Sequence, residues 1–244
     1  MSSATFEFRD QVVVVTGVGR VGQIGYAVAD GFAQAGARLV IAAHDGIALG
    51  ARAREFAARG VEVRTAAGDL TKPDVANLVV EQAVKHFGRL DVLVNVAGGF
   101  TGIANVTEAS LDVLDKAIAV NVTTMYLVSR AAAQVMVGQH KGAIVSFASI
   151  AALSAKPAMA AYSAAKAGVA ALTRSMALEL RDSGVRVNAV APGLVRTGDN
   201  LGAIGEGPAR WVEIGDIVNA VLFLSSDLSA GITGHVLPVS RGDI

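Results

Sequence analysis

Tyr162 and Lys166 stand four residues apart in the run Tyr162-Ser-Ala-Ala-Lys166. On a helix that spacing stacks a phenol and an ammonium one turn apart on the same face. An ordinary tyrosine titrates near pH ~10, too high for efficient proton exchange at neutrality. A neighbouring ammonium stabilises the phenolate and makes the side chain a usable general acid or base. Ser149 lies thirteen residues before Tyr162, just past a strand-like run. Its hydroxyl is placed to bond a reacting oxygen and to steady charge developing there. Asn121 is a polar residue within an Ala- and Val-rich helical stretch, suited to hold a water that links Lys166 to solvent. Asn121, Ser149, Tyr162 and Lys166 are the catalytic candidates. By itself a Tyr and a Lys at this spacing describes an ordinary helix surface; the company of the other residues points to chemistry.

A second group gathers where strands end. The first strand closes in Thr16-Gly17-Val18-Gly19-Arg20-Val21-Gly22-Gln23-Ile24-Gly25 and leads straight into a helix. Glycines let backbone N–H groups approach a pyrophosphate, and the helix N-terminus adds partial positive charge. Gly17, Gly19, Arg20, Gln23 and Ile24 are therefore candidates for dinucleotide binding. A glycine-rich turn is often only a turn; its place between first strand and first helix favours the ligand. Asp69-Leu70 follows the third strand, and Asn95-Val-Ala97-Gly98 the fourth. Asp69 is suited to accept from an adenine amino group and Asn95 to fix the loop beneath the ribose, with a plain Asx turn as the alternative for each. The second strand ends Ile41-Ala-Ala43-His44-Asp45, with Ala where an NAD-specific fold carries an acid for the ribose hydroxyl. His44 and Arg20 can meet a 2′-phosphate, which favours NADP(H) over NAD(H). The alternative leaves both side chains solvated and lets Asp45 reach the ribose.

Those residues need a scaffold that brings strand ends together, and the chain has the pattern for one. Short β-branched runs alternate with helical stretches. Strands are expected at Val12–Thr16, Arg38–Ala43, Val61–Ala66, Asp91–Asn95, Ala143–Phe147, Arg186–Ala191 and His235–Val239. Helices are expected at Ile24–Ala35, Ala51–Arg59, from the capped start Thr71-Lys-Pro-Asp to Phe87, at Ser110–Val137, Ala158–Arg181 and Asp216–Leu224. Right-handed crossovers then give a doubly wound parallel α/β sheet of Rossmann type, with helices on both faces. No linker-like shift in composition and no repeat divides residues 1–244, so one domain is expected.

Composition narrows the function classes. The 244 residues are 52% hydrophobic but only 5% aromatic, with 27 glycines, a profile for buried parallel strands and close-packed helices. Lys+Arg and Asp+Glu are 21 each, so the basic face of a nucleic-acid binder is not expected. The absence of cysteine excludes disulfides and thiolate metal sites. His86, His140 and His235 show no metal-ligand spacing, and no metal is expected. The amino-terminal ten residues lack the apolar core of a signal peptide, and no apolar stretch reaches membrane-spanning length. A soluble, cytoplasmic protein without a membrane partner is the expectation. Trp211 reads as a packing residue and the methionines as core filler.

At these residues the chain resembles the classical short-chain dehydrogenase/reductase family, over nearly its whole length. The matching positions are the Thr16-Gly17 turn, Asp69, Asn95-Val-Ala-Gly98, Asn121, Ser149, Tyr162, Lys166 and Asn188-Ala-Val-Ala-Pro192-Gly193, followed by Thr197. The resemblance implies an oxidoreductase that interconverts a ketone and a secondary alcohol, with hydride passing between nicotinamide C4 and the carbonyl carbon. It implies Tyr162 as acid/base, Ser149 polarising the carbonyl, Lys166 binding the nicotinamide ribose and tuning Tyr162, and Asn121 completing a proton relay. It also implies that the backbone after Pro192-Gly193, with Val195 and Thr197, contacts the cofactor. The partners it implies are a small carbonyl or alcohol substrate, as in 3-oxoacyl reductases, and further copies of the chain in a dimer or tetramer that pairs two long helices.

Three departures set alternatives beside that reading. The first turn is longer than the family's usual one, and Gln23 stands where its middle glycine falls. That layout resembles the divergent enoyl-acyl-carrier-protein reductase branch. The branch, however, places its Tyr seven positions before the Lys, where this chain has Met159. Val96 replaces the second Asn of the usual Asn-Asn-Ala-Gly. The stretch 194–210 is shorter than the family's substrate lid and Gly-rich, which predicts a flexible loop and an open pocket. An enoyl reductase, or a non-catalytic dinucleotide-binding scaffold, is the alternative function.

Overall fold

A computed structural model describes residues 6–154, 156–206 and 210–242. Seven parallel strands form one sheet: β1 Val12–Thr16, β2 Arg38–Ala43, β3 Val63–Ala67, β4 Val92–Asn95, β5 Gly142–Phe147, β6 Val185–Pro192 and β7 Val236–Val239, in the order β3-β2-β1-β4-β5-β6-β7. The helices are α1 Ile24–Gln34, α2 Gly46–Ala58, α3 Pro73–Phe87, α4 Leu111–Ile118, α5 Thr124–Gln139, α6 Ala160–Leu180, α7 Gly198–Ile204 and α8 Ile214–Ser225. The expected doubly wound α/β architecture is the one observed.

Continuous apolar strands explain the layering. Successive side chains of a strand point to opposite faces, so Val13 and Val15 pack with α1, α2 and α8 through Phe32, Phe56 and Ile217. Val12 and Val14 pack on the other face with α3, α5 and α6 through Val79, Val128 and Val169. A run of valines thereby serves two cores. Strand order reverses between β1 and β4, which opens a crevice at their carboxyl ends, the usual ligand position of such sheets.

Differences from the expected elements have local causes. α2 begins at Gly46, five residues before Ala51, because Asp45 Oδ1 accepts from the N–H groups of Ile47 and Ala48 at 2.8 and 3.1 Å and caps it. Thr71 does not cap α3; its N–H and hydroxyl both donate to Asp69 Oδ1, and α3 starts with Pro73 in its first turn. α6 starts at Ala160 because Ala158 is left-handed, with φ 58°. The helix expected over Ser110–Val137 is divided into α4 and α5 by a π turn at Ala119–Thr123. There Asn121 donates to Ala117 O and Gly99 O and accepts from the Gly99 N–H, all at 3.0–3.1 Å. A wider turn of this kind re-aims a side chain within a helix, here toward the loop after β4.

The amino ends of the strands are held by Asp91, which is 6% exposed. Its Oδ2 accepts from the Val12 N–H at 2.8 Å, and the Arg89 guanidinium grips both oxygens. Asp91→Ala strands that buried N–H far from the strand-end crevice. It is expected to cost about 2–4 kcal/mol, read as a lower urea midpoint with unchanged m-value.

Candidate active site

The cofactor end is built from close backbone approach. Gly17 has φ +79°, and a Cβ there would lie 2.9 Å from Ala97 N. A Cβ on Gly25 would lie 2.2 Å from Gly17 O. The turn after β1 therefore lies directly between the loop after β4 and the start of α1. Thr16 Oγ1 accepts from the Ala97 N–H at 3.0 Å and locks those two loops together. Gln23, the residue before α1, makes no side-chain cap bond, which leaves the first N–H groups of the helix without a side-chain acceptor. Gly-packed backbone and an uncapped helix N-terminus fit a pyrophosphate.

Other predicted residues fall along the same edge with varied roles. Gly19 faces open space, and Ile24 opens α1 while packing on the core. His44 is exposed at the end of β2. Asp69 forms the plain Asx turn, its carboxyl held below the usual range by the Thr71 hydroxyl and N–H. Leu70 is buried in the core. Asn95 does not reach the loop it was expected to fix; its Nδ2 donates to Ser129 and Ser146 hydroxyls at 2.9 and 3.2 Å, pinning β4 to α5 and β5. The loop holding Ala97 and Gly98 is instead secured by Thr16 and by Asn121 through Gly99. Thr16 was missed as a site residue; its place at the end of an otherwise all-valine strand was the available signal. Arg20 does not stand free for a phosphate, because its guanidinium is paired with Asp199.

On the far side of the crevice, Pro192 ends β6 and the Gly193 N–H donates to Val239 O at 2.9 Å. Val195 is buried beside Val212, and Thr197 Oγ1 accepts from the Asn200 N–H at 3.3 Å, capping α7. The expected flexible loop over 194–210 thus contains a capped helix; residues 207–209 of it lie outside the described residues. Trp211 is buried, with the Arg196 guanidinium 5.9 Å from its ring centre, a packing residue as expected.

Ser149, Tyr162 and Lys166 come together between β5 and α6. Lys166 Nζ is 5.8 Å from the Tyr162 ring centre and donates to Phe147 O at 2.7 Å. Only 5% of this lysine is exposed, and burial lowers its pKa to about 8. Burial pushes the Tyr162 phenol up, and the Ser149 hydroxyl draws it part of the way back. The Ser149 hydroxyl supplies this downward pull, while the Lys166 ammonium stands beside the ring on its bond to Phe147 O. Phe100 meets Tyr162 edge-on with ring centres 5.3 Å apart. The Asn121 amide donates to Gly99 O and Ala117 O and accepts from the Gly99 N–H, which ties the π turn to the loop after β4. Beside Tyr162 opens a cavity of about 450 Å³ with apolar walls from Val106, Leu111, Leu114 and Met159.

Comparison with known proteins settles what the pattern belongs to. A family model described as enoyl-(acyl carrier protein) reductase matches residues 17–243. The chain is 36% identical to 2-(S)-hydroxypropyl-CoM dehydrogenase 3 of Xanthobacter autotrophicus, covering 96% of each protein. It is 34% identical to a 3-oxoacyl-[acyl-carrier-protein] reductase of Synechocystis, covering 95% of this chain and 96% of the relative. This chain belongs to the short-chain dehydrogenase/reductase family. The structure of a short-chain dehydrogenase/reductase from Mycobacterium ulcerans superposes with a TM-score of 0.91 at 32% identity, over 97% of this chain and 90% of that one. As a member of this family the protein is an oxidoreductase of CH–OH/C=O pairs that uses NAD(H) or NADP(H). Among the described residues no helix is long and apolar enough to cross a membrane.

Because the folded pKa of Lys166 lies below that of a free lysine, the folded state binds its proton less tightly than the unfolded state. This group's penalty is fully present below pH ~8 and is relieved as pH rises toward ~10.5. Lys166→Met is therefore expected to gain thermal stability relative to the unaltered protein at pH ~7 and to lose that advantage by pH ~10. Paired melting curves at the two pH values check this; a constant difference would contradict it.

Proposed function

We propose that Tyr162 exchanges the proton and Ser149 orients the reacting oxygen in interconversion of a small ketone with its secondary alcohol. One observation carries this reading: phenol, hydroxyl and buried ammonium converge at the carboxyl end of β5, one crevice away from the uncapped N-terminus of α1. A nicotinamide dinucleotide bound along that edge supplies or accepts the hydride. Lys166 holds positive charge beneath the site, where it steadies a phenolate as the proton leaves Tyr162. Asn121 supports the relay by holding Gly99 and the π turn in place. Gly17, Gly19, Gln23, Ile24, Ala97, Gly98, Pro192, Gly193, Val195 and Thr197 form the cofactor cradle, largely through backbone groups.

The apolar cavity beside Tyr162 suits a ketone on an acyl or alkyl chain. That matches relatives named for a hydroxypropyl-CoM and a 3-oxoacyl carrier substrate. Met159 stands where an enoyl reductase of the divergent branch carries its Tyr, which favours carbonyl over C=C reduction despite the longer first turn. NADP(H) is the preferred cofactor in this reading. Ala43 leaves the end of β2 without an acid, Asp45 Oδ1 is engaged in capping α2, and His44 is exposed beside the ribose position. The protein acts in the cytoplasm as one domain over residues 1–244 and assembles as a homo-oligomer, for which exposed Tyr126 on α5 and Leu178 on α6 offer apolar faces.

Tyr162→Phe is expected to lower kcat for a ketone found by screening by about 10²–10⁴-fold while dinucleotide affinity stays within a few fold; undiminished turnover would sink the assignment. The ratio of kcat/KM for NADPH over NADH is expected above one and to fall about three- to tenfold in His44→Ala, the loss of one hydrogen bond. A ratio below one in the unaltered protein would reverse the cofactor reading.

A further inference from the structure

α7 and the first glycine turn belong to distant parts of the sheet. The turn follows β1, α7 follows β6, and β4 and β5 lie between them. Three strand spacings separate the two strands by about 14 Å. Yet Arg20 Nη1 and Nη2 donate to Asp199 Oδ1 and Oδ2 at 2.9 and 2.5 Å, a two-pronged contact between guanidinium and carboxylate. Beside it the Gly198 N–H donates to Gly22 O at 3.5 Å, and Gln23 Nε2 lies 3.8 Å from where a Cβ on Gly198 would stand. These contacts join the start of α7 to the turn after β1, across the carboxyl-end edge of the sheet along which a dinucleotide would lie.

Asp199 is presented rigidly for this. Thr197 caps the first turn of α7, and Asn200 Nδ2 donates to Val195 O at 2.8 Å, so the helix start is fixed on both sides of the carboxylate. The acid also sits in the first turn, where the helix dipole favours it. Both partners remain more than half exposed at the side chain. An ion pair so hydrated contributes little to folding stability and can be parted without unfolding what it joins.

We propose that Arg20 and Asp199 form a latch across the cofactor crevice, with Asp199 as a positioning residue that slows dinucleotide release. The proposal rests on the reading that a dinucleotide occupies this crevice. It assigns Arg20 to α7 in the closed form, and leaves the 2′-phosphate to His44. Escape of either dinucleotide then requires the pair to part and α7 to swing from the turn.

The test follows the release of NADH and of NADPH from the substrate-free protein by stopped-flow fluorescence, with excess oxidised cofactor as trap. In Asp199→Asn both release rates are expected to rise by a similar factor of about three to ten. The double variant Arg20→Asp with Asp199→Arg is expected to bring them back toward the original values. Raising the salt concentration should speed release in the unaltered protein and have less effect in Asp199→Asn. Melting temperatures of all forms should agree within about 2 °C, separating a latch from general loosening. Unchanged release in Asp199→Asn overturns the latch alone. Slower release of NADPH with unchanged NADH also overturns it, since Asp199 would then merely occupy Arg20. Failure of the unaltered protein to bind either dinucleotide overturns the proposed function and the latch with it.

Discussion

The active-site half of this molecule depends on one buried contact, the Lys166 ammonium on the Phe147 carbonyl at 2.7 Å. It joins the first turns of α6 to the last residue of β5, beside the packing of Val169, Met176 and Ala177 on the sheet. Tyr162 is then one turn above the strand end, and Ser149, two residues beyond Phe147, is brought to the phenol. A cation taken out of water is costly unless it is hydrogen-bonded. Here the partner is a neutral carbonyl, which leaves the desolvation penalty visible as a pKa of about 8. The fold tolerates an expensive group at this point, and such groups cluster where a site needs charge held ready.

The other half of the crevice is made almost wholly of backbone. Gly17 and Gly25 bring the first turn into contact with the loop after β4 and with α1, and Thr16 ties that loop down. Asn121 does the same from the opposite side at the expense of a regular helix. The proposed cofactor cradle is thus a matter of where N–H groups point and how closely chain segments approach. The three side chains proposed for proton chemistry, in contrast, all lie on the neighbouring β5–α6 unit. Beside that unit lies the apolar wall of Val106, Leu111, Leu114 and Met159.

Much of this was legible in the sequence, for physical reasons that particular residues show. The valine run at 12–15 sees apolar surroundings on both faces, so its composition alone declared a buried parallel strand. Tyr162 and Lys166 are linked by helical periodicity, a local property, and their shared face followed from it. What stayed hidden depends on partners far along the chain. Asn95 reads the same whether it faces a loop or, as it does, two serines 34 and 51 residues away. Arg20 reads as a phosphate ligand until Asp199, 179 residues on, is seen to hold it. The helix at Gly198–Ile204 was obscured by glycines whose weak propensity is overcome by a cap at Thr197 and by its docking on the first turn.

The most direct measurement is a crystal structure of the protein with oxidised dinucleotide bound. The account predicts a pyrophosphate against the first turn of α1 and a nicotinamide ring lying between Tyr162 and the Pro192–Gly193 turn, with its C4 facing the apolar cavity. A dinucleotide seated elsewhere, or a ring held out of reach of the phenol, would contradict it.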